Sequence, residues 1–236
     1  TRGSSGLKTG RLSQSEVSLV LGEKTACLDC HNPHASKSKG LFRQSIHLPV
    51  AKFECTSCHE PAQPTKPVAL IAKEDTLCYS CHDKKEFQKS DSHRPVQQGK
   101  CLSCHRPHAS EQPSLLVASS KTLCFQCHQD KAEEFSKKGF VHSPVRKGEC
   151  MGCHEPHSSD NNALLTKLDA NLCFSCHEKE AVRWGVQPPN NSQGTIHGPI
   201  NMGQCLICHD PHASDTKGQT VTGGGELCYT CHSDEK

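Results

Sequence analysis

The chain has few of the residues from which an ordinary protein core is built. Only 33% of its 236 residues are hydrophobic, and that fraction already includes all 18 cysteines. Aromatic residues make up 4%, with a single tryptophan, Trp184. A chain of this length normally buries a large apolar interior. Side chains alone cannot supply that interior here, so something else must fill it.

Long apolar runs are missing as well. The longest candidate, residues 17–21, is far shorter than the roughly 20 residues that cross a bilayer, so we expect no transmembrane segment. The chain begins at Thr1, without an initiator methionine or an apolar leader. A mature product would begin in this way after removal of a targeting peptide, and proteolysis would leave a similar start.

Every cysteine belongs to a C-x-x-C pair, and a histidine follows each pair directly. The nine motifs are Cys27, Cys30 and His31; Cys55, Cys58 and His59; Cys78, Cys81 and His82; Cys101, Cys104 and His105; Cys124, Cys127 and His128; Cys150, Cys153 and His154; Cys173, Cys176 and His177; Cys205, Cys208 and His209; Cys228, Cys231 and His232. C-x-x-C-H is the attachment signature of c-type haem, in which both thiols bond to the vinyl groups and the adjacent imidazole binds the iron. Local disulfides or zinc sites would explain the pairs but not the nine histidines. We therefore predict nine haems, held by all 18 cysteines, with these nine histidines as proximal ligands.

The other eight histidines stand in two fixed contexts. Four lie in H-x-P-[VI], eight residues before the first cysteine of a motif: His47, His93, His142 and His197. Four close the string C-x-x-C-H-x-P-H: His34, His108, His157 and His212. Single examples would be ordinary surface histidines beside prolines. A second imidazole, however, makes a six-coordinate iron suited to electron transfer, and we predict that all eight are distal ligands.

Four repeats share one internal spacing, with 23 residues between the first cysteines of their two motifs. We call these motifs the first and second motif of repeats 1 to 4. A half repeat precedes them, because CLDCHNPHAS from Cys27 matches CLSCHRPHAS from Cys101. The predicted organisation is a segment without haem at 1–26, a half repeat with one haem at 27–46, two-haem modules at 47–82, 93–128 and 142–177, and a two-haem module with a tail at 197–236.

This pattern resembles the doubled-C-x-x-C-H multihaem cytochromes, which include periplasmic electron carriers, porin-embedded conduits and subunits of extracellular filaments. The resemblance covers residues 27–232. It implies bis-histidine haems, little regular secondary structure, and a haem chain that alternates between stacked and roughly perpendicular neighbours.

Local signals in the sequence agree with that fold class. Fourteen prolines and 17 glycines punctuate the chain, which favours short helical turns over long elements. We predict a mostly irregular multihaem fold with short α-helices and little or no β-sheet. The helices should follow the second motifs, as at 124–137 and 173–184, with one more at 13–21.

The spacing also suggests which distal histidine serves which haem. The H-x-P-[VI] histidine should fold back onto the first-motif haem of its own repeat, and the H-x-P-H histidine should reach the second-motif haem. Ala62 replaces the second of these in repeat 1, and no H-x-P precedes Cys27. We expect His34 to serve the haem at Cys78, which leaves the haem at Cys27 without a distal histidine.

One iron must then take a different ligand, because nine irons share eight distal histidines. The candidates are Met202, Met151, the amine of Thr1, a lysine, a histidine from a different protein, or a weakly held water.

The expected function is electron transfer along the haems, with redox proteins or extracellular acceptors as partners. There is no C-x-x-C-K motif and no catalytic cluster, so we expect no enzyme activity. We favour a filament subunit that forms a homopolymer. A periplasmic carrier serving an outer-membrane conduit, or a reductase acting at an open N-terminal haem, remain alternatives.

The expected location and partners follow from the haems. The chain should be exported and loaded with haem outside the cytoplasm, in the periplasm or secreted beyond it. Its 27 Lys and Arg residues would balance haem propionates, and we expect no nucleic-acid partner.

Overall fold

The computed structural model describes residues 27–37, 39–61, 69–179 and 196–233. Thr1, the helix predicted at 13–21 and the end of the helix predicted at 173–184 lie outside these ranges. The described chain consists of short helices and turns joined by irregular segments, which confirms the predicted fold class.

One group of short α-helices starts directly after the H-x-P-[VI] histidines. These helices are Leu48–Ala51, Arg94–Gln97, Ser143–Lys147 and Gly198–Asn201. Proline occupies one of the first two helical positions. It is tolerated there because its missing N–H would have no helical partner anyway and its fixed φ suits a helix start.

A second group of α-helices leads into the second motifs. These helices are Glu74–Leu77, Ser120–Leu123, Asp169–Phe174 and Gly224–Tyr229. No pattern in the sequence predicted them. A helix is predicted after each second motif, and in repeat 2 the longest helix of the described chain, Gln129–Ser136, confirms it.

Most C-x-x-C-H motifs begin with a 3-10 turn. These turns are Cys27–Asp29, Cys55–Ser57, Cys78–Ser80, Cys101–Ser103, Cys124–Gln126, Cys150–Gly152 and Cys205–Ile207. The other described 3-10 turns are Lys39–Leu41, Lys84–Phe87, Pro113–Leu115, Asn162–Leu164 and Lys217–Gln219. In each motif the histidine N–H donates to the carbonyl of the first cysteine, as from His154 to Cys150 at 3.0 Å. Residues i, i+3 and i+4 then share one face, so the turn presents two thiols and one imidazole together.

Three antiparallel pairs of two-residue strands join neighbouring repeats. The strands are β1 (Ser45–Ile46), β2 (Asp91–Ser92), β3 (Ala109–Ser110), β4 (Phe140–Val141), β5 (Ser158–Ser159) and β6 (Ala213–Ser214). The pairs are β1 with β3, β2 with β5 and β4 with β6. In every pair, a strand that precedes an H-x-P-[VI] histidine meets the strand that follows the H-x-P-H histidine of the next repeat. The described sheet structure is confined to these links.

The side chains bury very little among themselves. Apart from Gly148, the buried residues of the described chain lie in β3, β5 and β6: Ala109, Ser110, Ser158, Ser159, Ala213 and Ser214. Large apolar side chains between paired cysteines stay open, with Leu102 41% exposed, Met151 50% and Leu206 60%. The polypeptide alone therefore leaves its apolar surface uncovered, as the composition predicts.

The chain divides into two compact regions. The first consists of the described part of Thr1–Asp83 together with Gln98–Val117, and the second of Lys84–Gln97 with the described residues from Ala118 onwards. The pair β1·β3 belongs to the first region, and the other two strand pairs belong to the second. No helix in the described ranges is both long enough and apolar enough to span a membrane.

Candidate haem centres

All 18 cysteines lie within the described residues and all are free thiols. None of them forms the local disulfides considered above. Within the described ranges, no three His, Cys, Asp or Glu side chains come together as a separate metal site. Every motif therefore has both thiols available for thioether attachment.

The second cysteine of a motif differs in exposure between the two classes of motif. In second motifs it is exposed, and these residues are Cys81, Cys127, Cys176 and Cys231. In first motifs and the half repeat it is partly buried, and these residues are Cys30, Cys58, Cys104, Cys153 and Cys208. The loop that follows a first motif covers that cysteine, as where the N–H of Val117 donates to the carbonyl of Cys104 at 2.9 Å. Haem attachment at all of these thiols stays a prediction.

The proximal histidines of first motifs are oriented by a backbone carbonyl nine residues further along the chain. The Nδ1 to oxygen distances are 2.8 Å for His31 to Gly40, and 2.9 Å for His105 to Ser114, His154 to Ala163 and His209 to Gly218. A carbonyl only accepts, so Nδ1 carries the hydrogen and Nε2 keeps the lone pair that binds iron. For His59, Nδ1 is buried without a partner in the described residues, and the residue nine positions on, Val68, lies outside them.

Two consecutive left-handed residues turn each of these carbonyls towards its histidine. The pairs are Gly40 and Leu41, Ser114 and Leu115, Ala163 and Leu164, and Gly218 and Gln219, with φ between +53° and +77°. Glycine adopts this conformation freely, whereas a residue with a Cβ does so at a cost. The loop therefore carries backbone strain at Ser114 and Ala163, where the half repeat and repeat 4 use glycine.

The proximal histidine of each second motif faces the H-x-P-[VI] histidine of its own repeat. The ring centroids are 6.2 Å apart for His47 and His82, 6.2 Å for His93 and His128, 6.1 Å for His142 and His177, and 6.2 Å for His197 and His232. A metal–imidazole nitrogen bond is about 2 Å long and the ring centre lies about 1 Å beyond it, so two imidazoles on one metal have centroids about 6 Å apart. These four pairs fit a six-coordinate iron.

The H-x-P-[VI] histidines are held by the next repeat. The N–H groups of His47, His93 and His142 donate to the carbonyls of His108, His157 and His212, each at 2.9 Å. The Nδ1 atoms of His93 and His142 also bond to proline carbonyls of the H-x-P-H strings, Pro156 at 3.0 Å and Pro211 at 2.9 Å. Nε2 of both rings is again left for metal.

First motifs obtain their facing histidine from the following repeat. His108 lies 5.8 Å from His59, and His212 lies 6.0 Å from His154, measured between ring centroids. Burial lowers the pKa of both His108 and His212, and the facing histidine lowers it further. These rings therefore favour the neutral form that binds a metal.

The described ring pairs differ from the pairing expected from sequence spacing for both classes of H-x-P histidine. His47 faces the second motif of repeat 1, whereas spacing assigned it to the first. His108 faces repeat 1 although it was assigned to its own repeat. The cause is the link β1·β3, which fixes the backbone of His47 and brings His108 beside the preceding repeat. Spacing also assigned His34 to the haem at Cys78, but the ring that faces His82 of that motif is His47.

Thiols of successive repeats lie within hydrogen-bonding reach of each other. Burial and the Cys101 thiol raise the pKa of Cys78 to about 11, and burial and Cys205 do the same for Cys173. A hydrogen bond with Cys124 lowers the pKa of Cys150 to about 6. Each contact joins the first cysteine of a second motif to the first cysteine of the next repeat.

A glycine two residues before the first motif permits this close approach. A Cβ on Gly99 would lie 2.4 Å from the Cβ of Asp75, and one on Gly148 would lie 2.5 Å from the Cα of Lys121. Both glycines have left-handed φ, and Gly203 repeats the arrangement in repeat 4. Phe53 occupies the same position in repeat 1 with φ +59°. No second motif precedes it, which explains why a side chain is accepted there.

The sequence profile described as "Doubled CXXCH motif" matches residues 20–46, 47–87, 93–133, 142–182 and 197–236. These matches cover most of the chain and coincide with the half repeat and the four repeats. The chain belongs to the doubled-CXXCH family. It is a multihaem c-type cytochrome that transfers electrons, and its haem is attached outside the cytoplasm. A search of curated proteins finds no match to this cytochrome.

Some predicted ligands of the cytochrome have no facing histidine in the described residues. The ring of His31 contacts Phe42, with centroids 4.4 Å apart. His209 and the exposed His34 form no ring contact with another described residue.

The remaining predicted ligands stay predictions. His157 holds the repeat position of His108 and His212, and its ring meets the edge of Phe87 at 5.0 Å. Met151 and Met202 are exposed, and Thr1 lies outside the described residues.

Proposed function

We propose that the cytochrome binds nine c-type haems, one at each motif, and conducts electrons along them as a subunit of an extracellular filament. The motif histidines are the proximal ligands. His47, His93, His142 and His197 are the distal ligands of the second-motif haems. His108 and His212 are the distal ligands of the first-motif haems of the preceding repeats.

The observation that carries this proposal is the repeated spacing between facing histidines. Six pairs have centroids 5.8 to 6.2 Å apart, which is the separation that one iron between two imidazoles requires. A six-coordinate iron with two imidazoles leaves no position for a substrate. The distal histidines therefore favour electron transfer over substrate chemistry.

The attachment points also follow one another in chain order. Burial raises the pKa of Cys30, Cys58 and Cys153, and in each case a thiol of the next motif raises it further. Those neighbouring thiols belong to Cys55, Cys81 and Cys176. The thiol contacts between successive repeats continue the series within each compact region. When bound, haem supplies a one-electron couple, and closely spaced attachment points hold successive redox centres near enough for tunnelling, which weakens steeply with distance.

The haem at Cys27 and Cys30 is the one we propose to lack a distal histidine. By the observed rule, its distal ligand would come from the H-x-P-H position of repeat 1, where the sequence has Ala62. This open position favours a second candidate function, reduction of a small molecule at that haem. A high-spin signal that responds to nitrite, hydroxylamine or cyanide would support reduction, and a wholly low-spin spectrum would exclude it.

The proposal of a filament is supported by the way in which the repeats are linked. Each strand pair joins a repeat to the one that follows it, so nothing in the rule limits the number of repeats in a row. A periplasmic carrier with the same haems is the alternative.

Two measurements test this proposal. The intact mass of the purified protein should correspond to the chain with nine haems, and a lower count would contradict the site assignment. Electron microscopy over a range of concentrations should show filaments. Single particles at every concentration would leave the periplasmic carrier as the function.

A further inference from the structure

The half repeat and repeat 4 each contain one part of an incomplete haem site. In the described pairs, the H-x-P-H histidine of one repeat faces the first-motif histidine of the repeat before it. His34 occupies the H-x-P-H position of the half repeat, and no repeat precedes it within the 236 residues. His209 occupies the first-motif position of repeat 4, and no repeat follows it there. Within these residues, neither His34 nor His209 has the facing histidine that its repeat position predicts.

In the described residues, the half repeat and repeat 4 each also lack one backbone link of the kind that joins the other repeats. At the three internal links, the N–H of an H-x-P-[VI] histidine donates to the carbonyl of the next H-x-P-H histidine. The N–H of His197 forms no such bond with any described residue. Ala35, which corresponds to the buried Ala109 and Ala213 of β3 and β6, is exposed in the half repeat. An unmatched link therefore accompanies the unmatched haem site.

The residues at the close contact between repeats also favour a pairing of repeat 4 with the half repeat. At internal junctions a glycine before the first motif meets a residue with a side chain three positions before a second motif, as Gly148 meets Lys121. The half repeat has Thr25 at the glycine position, and repeat 4 has Gly225 at the position that faces it. If repeat 4 of one copy meets the half repeat of another, the contact again pairs one glycine with one residue that has a side chain. The glycine then belongs to the second motif instead of the first motif.

We propose that His34 of a second copy is the distal ligand of the haem at Cys205 and Cys208, so that copies join head to tail. This inference rests on the proposed haem binding and names the partner that completes one site. Ile196 and His197 of one copy meet the half repeat of the next, in the arrangement that β4 and β6 show within the chain. The haem at Cys27 still lacks a distal histidine in every copy.

This junction lacks the ion pair that is present at two of the three internal links. Lys138, four residues before His142, bonds to Asp215, three residues after His212, at 2.8 Å. Arg43 and Glu111 form the equivalent pair at 3.1 Å. The corresponding residues at the new junction are Gln193 and Lys37, which form no ion pair. The junction should therefore dissociate on dilution while the internal links persist.

The test compares His34→Ala with His108→Ala in the haem-loaded protein. His108 has the same repeat position but faces a histidine of its own chain, so it is a matched control. Association is followed by sedimentation over a range of concentrations, and the number of high-spin haems by electron paramagnetic resonance.

We expect the wild type to gain one high-spin haem when it is diluted below the concentration at which copies associate. His34→Ala should show that additional high-spin haem at every concentration and should not associate. His108→Ala should gain one high-spin haem at every concentration and still associate. Added imidazole should restore the low-spin spectrum of His34→Ala without restoring association.

Two results would overturn the proposal. His34→Ala could associate like the wild type, which would show that the histidine is not part of the junction. Alternatively, a dilute wild type could lack the extra high-spin haem that His34→Ala shows, which would place His34 on an iron of its own chain. A protein with nine haems and either result refutes the junction alone. A haem count below nine refutes the proposed function instead.

Discussion

The first and second motifs of a repeat obtain their facing histidines from different places. His142 and His177, around a second motif, belong to one repeat. His154, in the first motif of that repeat, faces His212 of the next one. The second-motif site is therefore local in sequence. The first-motif site is completed only by a neighbour, so it is the site that connects repeats.

Removing a distal histidine should have the largest effect. His142→Ala should convert the haem at Cys173 and Cys176 from low-spin to high-spin, and His212→Ala the haem at Cys150 and Cys153, because each loses one axial imidazole. Electron paramagnetic resonance should detect one additional high-spin haem in each variant.

The assignment can be checked by removing one attachment site. In a protein with Cys173→Ala and Cys176→Ala, His142→Ala should add no high-spin haem, whereas His212→Ala should still add one. An additional high-spin haem from His142→Ala in that protein would restore the pairing expected from sequence spacing.

The junction between a second motif and the next first motif should be far less tolerant than the loop that follows a first motif. Gly148 and Gly218 have nearly equal φ values, +75° and +77°. A Cβ on Gly148 would lie 2.5 Å from Lys121, whereas one on Gly218 would meet nothing within 4 Å. Gly218→Ala should cost about 1 kcal/mol for left-handed strain, and Gly148→Ala about 3 kcal/mol or more because overpacking adds to it. Denaturant unfolding of the holoprotein measures both, and equal costs would contradict the close approach.

The strained first-motif loop should improve when it receives glycine. Ala163 has φ +56° and supplies the carbonyl that orients His154. Ala163→Gly should raise the free energy of unfolding by about 0.5 kcal/mol, because relief of the left-handed strain exceeds the added flexibility of the unfolded chain. Ala132→Gly, within helix Gln129–Ser136, is the control and should lower it by about 1 kcal/mol. Effects of the same sign would argue against the left-handed loop.

The ion pair between Lys138 and Asp215 should give the smallest effect. The Lys138 ammonium, followed by the N–H of Gly139, holds the pKa of Asp215 below its ordinary value of 3.8. A lowered carboxyl pKa stabilises the fold above the ordinary value, and this contribution is lost as pH falls through the lowered one. Asp215→Asn should therefore be slightly less stable than the wild type at neutral pH and equal to it in strong acid. Because both groups are exposed, high salt should reduce the difference.

The local arrangement of each motif could be predicted from the sequence, but the histidine that faces each H-x-P histidine could not. A C-x-x-C-H turn brings its thiols and imidazole together through adjacent residues, so the pattern alone is enough. His108 reaches His59 only through the link between β1 and β3, and those strands are two residues long with no periodicity to detect. The glycines at 99, 148 and 203 were the one available signal for close contact between repeats.

Because a first-motif histidine faces a histidine of the next repeat, the proposed ligation also bears on how the chain matures. His59 precedes His108 in the sequence, so a polypeptide exported from its N-terminus presents the motif cysteines of repeat 1 well before the imidazole that closes that site. Completion of the haem sites should therefore follow export by one repeat. At each stage, the first-motif haem of the last exported repeat would lack its second imidazole. Premature termination within this row would add one unfinished centre to the open one at Cys27 and leave the others intact.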